Sequence, residues 1–167
     1  MTKKEFASLY DQYAPRIYRF IYFKVNSEQD SEDLASEAFL NFWRSFGRKK
    51  EEKVDNPQAL LYKIAGNLVI DFYRKKAKSE IMIDPANDRI LSQAKDKTDL
   101  SREIGLGLEM ERVKQVLGQL KDDYQNVIIW RFLDDLSIKE IAQITGKPES
   151  SVRVSVHRAV NAVKKKL

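Results

Sequence analysis

Apolar residues recur through most of this chain at steps of three and four, and no strand-like alternation persists anywhere in it. That period is the strongest constraint the sequence sets, because a 3.6-residue repeat places apolar side chains on one stripe of a helix. Phe6, Leu9, Tyr10, Tyr13, Ile17, Phe20 and Ile21 make a first stripe, with Pro15 expected to kink or interrupt it. Leu34, Ala35, Ala38, Phe39, Phe42, Trp43 and Phe46 make a second. Asn56-Pro57 reads as a helix start, Asn as cap and Pro at the first helical position, and Leu61, Ile64, Ala65, Leu68 and Phe72 follow as a third stripe. Residues 78–100 break the pattern, and a second helical group begins near Met110. The expected fold is all-α, with two small helical domains over 1–78 and 105–167 joined by a flexible linker, 79–104.

Composition excludes several chemistries. With no cysteine and a single histidine, His157, the chain offers no disulfide framework, zinc finger or thiol nucleophile, so no metal, cofactor or enzymatic role is expected. Its apolar runs are too short for a membrane span or a signal-peptide core, which leads to the expectation of a cytoplasmic protein with no membrane insertion. The net charge of +5 averages over unlike blocks. Glu28, Asp30, Glu32, Asp33 and Glu37 fall in a stretch without basic residues; Arg74, Lys75, Lys76 and Lys78 fall together, and the C-terminal twenty residues are strongly basic. Separate surfaces for separate partners are expected.

The sharpest local signal lies near the C-terminus. Ser137 and Glu140 form a capping box before Ile138, Ile141, Ala142 and Thr145, Gly146-Lys147-Pro148 supplies a turn, and Ser150 or Ser151 is expected to cap the next helix. A short support helix, a glycine turn and a second helix make helix-turn-helix spacing. At 100° per residue Val152, Val156, Ala159 and Val163 face inward. Ser150, Arg153, Val154, His157, Arg158 and Asn161 face outward, where Arg can pair with guanine, Ser can bond base or phosphate, and Val can meet a thymine methyl. His157 is either one of these readers or an incidental polar group.

A second surface follows the third helix. Opposite its apolar stripe lie Asn67, Asp71, Arg74, Lys75 and Lys78, flanked by Tyr62, Lys63 and Tyr73. Aromatic rings beside a basic track suit single-stranded nucleic acid, whose bases stack and whose phosphates pair with cations. The acidic segment offers Glu32, Asp33 and Glu37 on its polar face. Carboxylates there also favour the helix dipole.

Taken in order, three stretches resemble a bacterial RNA polymerase sigma factor of the sigma-70 class, in its extracytoplasmic-function group: SEDLASEAFLNFW (31–43), NPQALLYKIAGNLVIDFYRKKAK (56–78), and 120–167 with LSIKEIAQITGKPESSVRVSVHRAVNAV. The resemblance implies a region 2 helical bundle and a region 4 helix-turn-helix. It implies that Glu32, Asp33, Leu34, Glu37 and Asn41 bind the β′ clamp helices of core RNA polymerase. It further implies that residues near 47–58 receive a flipped base of the −10 element, with Tyr62, Lys63, Asn67, Asp71, Arg74 and Lys75 around that site. Ser150, Ser151, Arg153, Val154, His157 and Arg158 would read the −35 element, and an anti-sigma factor would cover both DNA-binding faces. The chain departs from the family pattern at Leu60, where an aromatic is common, at Gly66, where a basic residue is, and at Val154-Ser155, where a Ser-Arg pair is usual. Promoter specificity therefore does not carry over. The competing expectation is a free-standing helix-turn-helix repressor or activator that binds duplex DNA without polymerase.

Overall fold

A computed structural model describes residues 1–46, 55–82 and 107–167. The loop expected to receive a flipped base lies largely outside these residues, as does most of the expected linker. Helix α1 (Lys3–Val25) starts at a complete capping box between Thr2 and Glu5 and ends at Asn26, whose left-handed backbone (φ 55°) lets its N–H reach the Tyr22 carbonyl at 2.9 Å. It runs through Pro15 without the interruption that the sequence allowed. Pro15 and Asp11 are both exposed, so the carbonyl that loses its helical partner faces water, where the loss costs least.

Helix α2 (Glu28–Phe46) buries Leu34, Ala38, Phe39 and Phe42 against α1, with Phe6 set edge-on to Phe39 and Trp43. Helix α3 (Pro57–Met82) begins as the sequence predicts: the Asn56 side-chain oxygen accepts from the Ala59 N–H at 3.0 Å. It runs four residues past the expected domain boundary at Lys78. The second unit comprises α4 (Gly107–Gly118), α5 (Asp122–Ile128), a π-helical turn over Ile129–Leu133, α6 (Ile138–Thr145) and α7 (Glu149–Lys166).

The two units share one core. Ile17, Phe20, Ile21, Phe42, Leu61, Tyr62, Ala65 and Val69 from the first join Leu117, Val127, Ile129, Trp130, Leu136, Ile141, Val152 and Ala159 from the second in a single buried cluster. Helix α3 lies between α2 and α6, so it is covered on two sides. That placement buries both Leu61 (0% exposed) and Tyr62 (1%), although Tyr62 lies off the sequence-read stripe. At the junction the Phe20 and Trp130 rings stack at 5.7 Å, and Tyr62 stands edge-on to both, 5.4 and 5.9 Å away. Small helical units bury a limited share of their surface alone, and pooling apolar faces raises it.

Candidate nucleic-acid interface

The C-terminal pair of helices is set by its caps. Ser137 Oγ accepts from the Glu140 N–H at 3.0 Å while Glu140 Oε1 accepts from the Ser137 N–H at 3.1 Å. Gly146 takes φ +70° and returns its N–H to the Ala142 carbonyl at 2.8 Å, turning the chain out of α6 and toward α7. Pro148, in extended conformation, occupies the N-cap position of α7 and supplies no side-chain cap. The helix thus starts at Glu149, ahead of both serines, and the expected capping by Ser150 or Ser151 does not occur.

The inward face of α7 buries Val152 and Ala159 fully, and Val156 and Val163 in part. Ser150, Ser151, Arg153, Val154, His157, Arg158 and Asn161 are all exposed. Arg153 Nη2 lies 3.8 Å from Glu149, and Asn161 Nδ2 lies 3.3 Å from His157 Nε2. These weak tethers hold the long side chains near the helix without occupying them, since exposed pairs of this kind contribute about 0–1 kcal/mol.

On α3, Lys63, Asn67, Asp71, Arg74 and Lys75 stand exposed, with Asp71 and Arg74 3.8 Å apart. Ile70, half exposed among them, is an apolar surface residue that the reading of polar and aromatic side chains passed over. Tyr73 is exposed in part, and its hydroxyl donates to the Lys24 carbonyl. Tyr62 is different. Its hydroxyl donates to Asp134 Oδ2 at 2.6 Å, and in this arrangement its ring cannot reach a base. Burial, with the Asp134 charge adding to it, pushes the phenol well above its ordinary range, so it stays a donor.

On α2, Glu32, Asp33 and Glu37 face solvent, Asn41 is partly covered, and Leu34 packs inward. Leu40 and Tyr10, each nearly half exposed, border an open groove of about 400 Å³ floored by Phe39 and Trp43.

Sequence reasoning missed the polar seam between the two units. Arg19 Nε donates to Asp134 Oδ1 at 2.6 Å, and the Asp134 side chain is fully buried. Arg16 donates to Gln58 Oε1 at 2.7 Å, Gln58 donates to Glu140 Oε2 at 2.7 Å, and Asn56 donates to Gln143 Oε1 at 2.8 Å. Lys24, also buried, donates to Asp122, Gln125 and Asn126. Burial pulls its ammonium below the usual lysine range, against the opposing hydrogen bond to Asp122. Burial raises the Asp134 carboxyl, and the hydrogen bonds from Tyr62 and Arg19 only partly offset it. Arg16 and Arg19 on the flank of the first apolar stripe were the available signal.

Among the described residues, no group of His, Asp or Glu is arranged to hold a metal ion, and no helix is long and apolar enough to cross a membrane. The arrangement leaves charged and apolar side chains exposed on α2, α3 and α7.

Residues 9–79 match the family described as Sigma-70 region 2, and residues 110–163 match Sigma-70, region 4. The chain is 30% identical over 169 residues to the ECF RNA polymerase sigma factor SigW of Bacillus subtilis, covering 97% of this chain and 88% of that protein. It is 30% identical over 158 residues to the ECF RNA polymerase sigma factor BldN of Streptomyces coelicolor, covering 95% of this chain but 58% of BldN. Among solved structures the fold is similar to CnrH in complex with the cytosolic domain of CnrY, with a TM-score of 0.68, 19% identity, and coverage of 98% of this chain and 88% of that one. It is also similar to the sigma factor RpoE in complex with the anti-sigma factor NepR from Bartonella quintana, with a TM-score of 0.65, 19% identity, and coverage of 97% and 96%.

Proposed function

Because the chain belongs to the extracytoplasmic-function group of sigma-70 factors, we propose that it binds core RNA polymerase and directs promoter-specific initiation of transcription. The exposed face of α7 on its capped support helix carries this reading. Ser150, Ser151, Arg153, Val154, His157 and Arg158 enter the major groove of the −35 element, with Arg on guanine and Val on a thymine methyl. The basic track of α3 follows the unpaired strand of the −10 element, with Lys63, Arg74 and Lys75 on phosphates and Asn67 and Asp71 near the bases. Glu32, Asp33 and Glu37 meet the clamp helices of the β′ subunit.

The factor contributes recognition, and the core enzyme contributes catalysis. It acts in the bacterial cytoplasm, where core polymerase and promoter are. An anti-sigma factor is the expected antagonist, supported by two solved proteins of similar fold, one bound to the cytosolic domain of CnrY and one to the anti-sigma factor NepR. Run-off transcription with purified core polymerase, with and without this chain, tests the reading. Promoter-dependent transcripts should require the chain. No such transcript across a promoter library, together with no core binding, would sink it; specific duplex binding to paired half-sites without core would instead mark a free-standing regulator.

A further inference from the structure

Helix α3 turns to solvent a stripe that runs Lys63, Gly66, Asn67, Ile70, Asp71 and Arg74, at the steps of three and four that one helix face requires. All are exposed except Gly66, which is partly covered. Two members do not fit a surface that only follows phosphates. Ile70 is 49% exposed while the adjacent Val69 is 2% exposed, so the helix has a packed apolar side and Ile70 is not on it. Gly66 sits in the helix interior, where glycine is less favourable than alanine. Nothing in the fold calls for it: a Cβ added there would meet no atom within 4 Å.

The two features adjoin. Side chains on a helix lean toward its N-terminus, so Ile70 leans over the turn that Gly66 leaves bare. A longer residue at 66 would lie across that turn; glycine leaves an open notch with one apolar wall. The groups around the notch are sorted by chemistry. Lys63 and Arg74 stand about 16 Å apart along the helix, one on each side of it, and both can hold phosphate. Asn67 offers an amide that suits adenine. Asp71, next to Ile70 and 3.8 Å from Arg74, repels phosphate from the middle of the stripe. What approaches Ile70 is then a base edge, and thymine is the base that carries an apolar group there, its 5-methyl.

We infer that Gly66 and Ile70 form a receptor for the 5-methyl group of one thymine in the −10 element, the methyl entering the notch over Gly66 and packing on the Ile70 side chain. The inference rests on the −10 role proposed for α3 and adds a base preference to it. Lys63 and Arg74 position the strand without regard to sequence, and the notch discriminates, because a base without the methyl leaves Ile70 against water. The departure from the family pattern at 66 acquires a consequence. A basic side chain there would cover Ile70 and add a phosphate contact, whereas glycine exchanges that contact for one to a base.

Core polymerase carrying this chain provides the test, on a promoter that run-off transcription recovers. Each thymine of the −10 element is replaced in turn by deoxyuridine, which removes the methyl and keeps every hydrogen-bonding group. Competition binding should weaken about fourfold at one position, the weight of one buried methyl group. With Ile70→Ala, thymine and deoxyuridine at that position should bind alike, at the affinity the wild type shows for deoxyuridine. Gly66→Leu, which fills the notch without adding charge, should erase the same ratio. Both changes lie on the solvent side and introduce strong helix formers, so the fold is retained.

A −10 element without a thymine, or one at which no deoxyuridine change matters, overturns the methyl receptor and leaves the initiation reading intact. A ratio that survives Ile70→Ala places the methyl elsewhere and overturns it as well. So does an equal loss of thymine and deoxyuridine binding in that variant, which would make Ile70 a packing residue only. No promoter from any library, together with no core binding, overturns the initiation reading, and the receptor falls with it.

Discussion

Tyr62 and Asp134 share a hydrogen bond of 2.6 Å across the junction of the two units, and both side chains are almost wholly removed from water. Tyr62→Phe keeps the ring against Phe20 and Trp130 but leaves Asp134 with Arg19 alone. Loss of a buried hydrogen bond to a charged group costs about 1.5–3 kcal/mol. Urea unfolding followed by tryptophan emission should show a lower midpoint of that size with an unchanged slope. A loss below about 0.5 kcal/mol, the range of ordinary surface changes, would mean that Asp134 finds other partners.

The same carboxyl makes stability depend on pH. Burial raises Asp134 above the ordinary carboxylate range, despite the hydrogen bonds from Tyr62 and Arg19. The folded chain therefore holds this proton more tightly than the unfolded one. The contribution of the group is fully present below its unfolded pKa and is lost as pH rises through its raised folded value. Glu140 works in the opposite direction. Burial pulls it upward, but hydrogen bonds from Gln58 and Ser137 outweigh that and hold it low, so its contribution is present above the ordinary range and fades as pH falls. Urea midpoints from acid to neutral pH should show that Asp134→Asn removes a component that weakens with rising pH, and Glu140→Gln one that weakens with falling pH. Parallel curves for the wild type and both variants would remove either linkage.

Gly146→Ala isolates the backbone cost of the turn between α6 and α7. The residue sits at φ +70°, and an added Cβ would meet nothing within 4 Å. Only the left-handed conformation is penalised, by about 1–2 kcal/mol. Chemical denaturation should show this loss, with Gly146→Asn losing less because Asn tolerates that region. Equal losses for Ala and Asn would point to a cause other than backbone conformation.

What the sequence made legible was local. The Ser137–Glu140 box, the Asn56 cap and the Gly146 turn are each set by residues within a few positions of one another, and all three form as read. The exposed face of α7 was also legible, because one buried stripe fixes the opposite side. The fate of Tyr62 was not: a period finds one packed face, and α3 has two. Asp134 reads as a surface acid in sequence, since nothing nearby reveals that Arg19, 115 residues away, accompanies it into the core. Whether Pro15 would end α1 was not legible for a similar reason, its cost in a helix depending on whether the freed carbonyl is wet.

Glu32→Lys with Asp33→Lys reverses two exposed charges on α2 that lie beyond its first turn, so the helix dipole loses little. Stability should move by no more than about 0.5 kcal/mol, as for surface changes generally. Co-elution with core polymerase on gel filtration should disappear. Unchanged co-elution would shift the contact away from this face, and the groove beside Tyr10 and Leu40 would be next to test.

Arg153 distinguishes reading from mere adhesion on α7. Exposed and only 3.8 Å from Glu149, it has a weak intramolecular partner that DNA can replace. If it pairs with a guanine edge, Arg153→Ala should cost about 1–3 kcal/mol at one position of the −35 element and relax preference there. If it holds a phosphate, all sequences should weaken alike and the salt slope should fall by about one. Competition binding of holoenzyme to −35 variants at several salt concentrations separates the two. Glu149→Gln supplies the counter-check, because it removes the tether and a negative charge from the groove side. It should tighten binding to every sequence without changing their order, and a changed order would make Glu149 itself a reader.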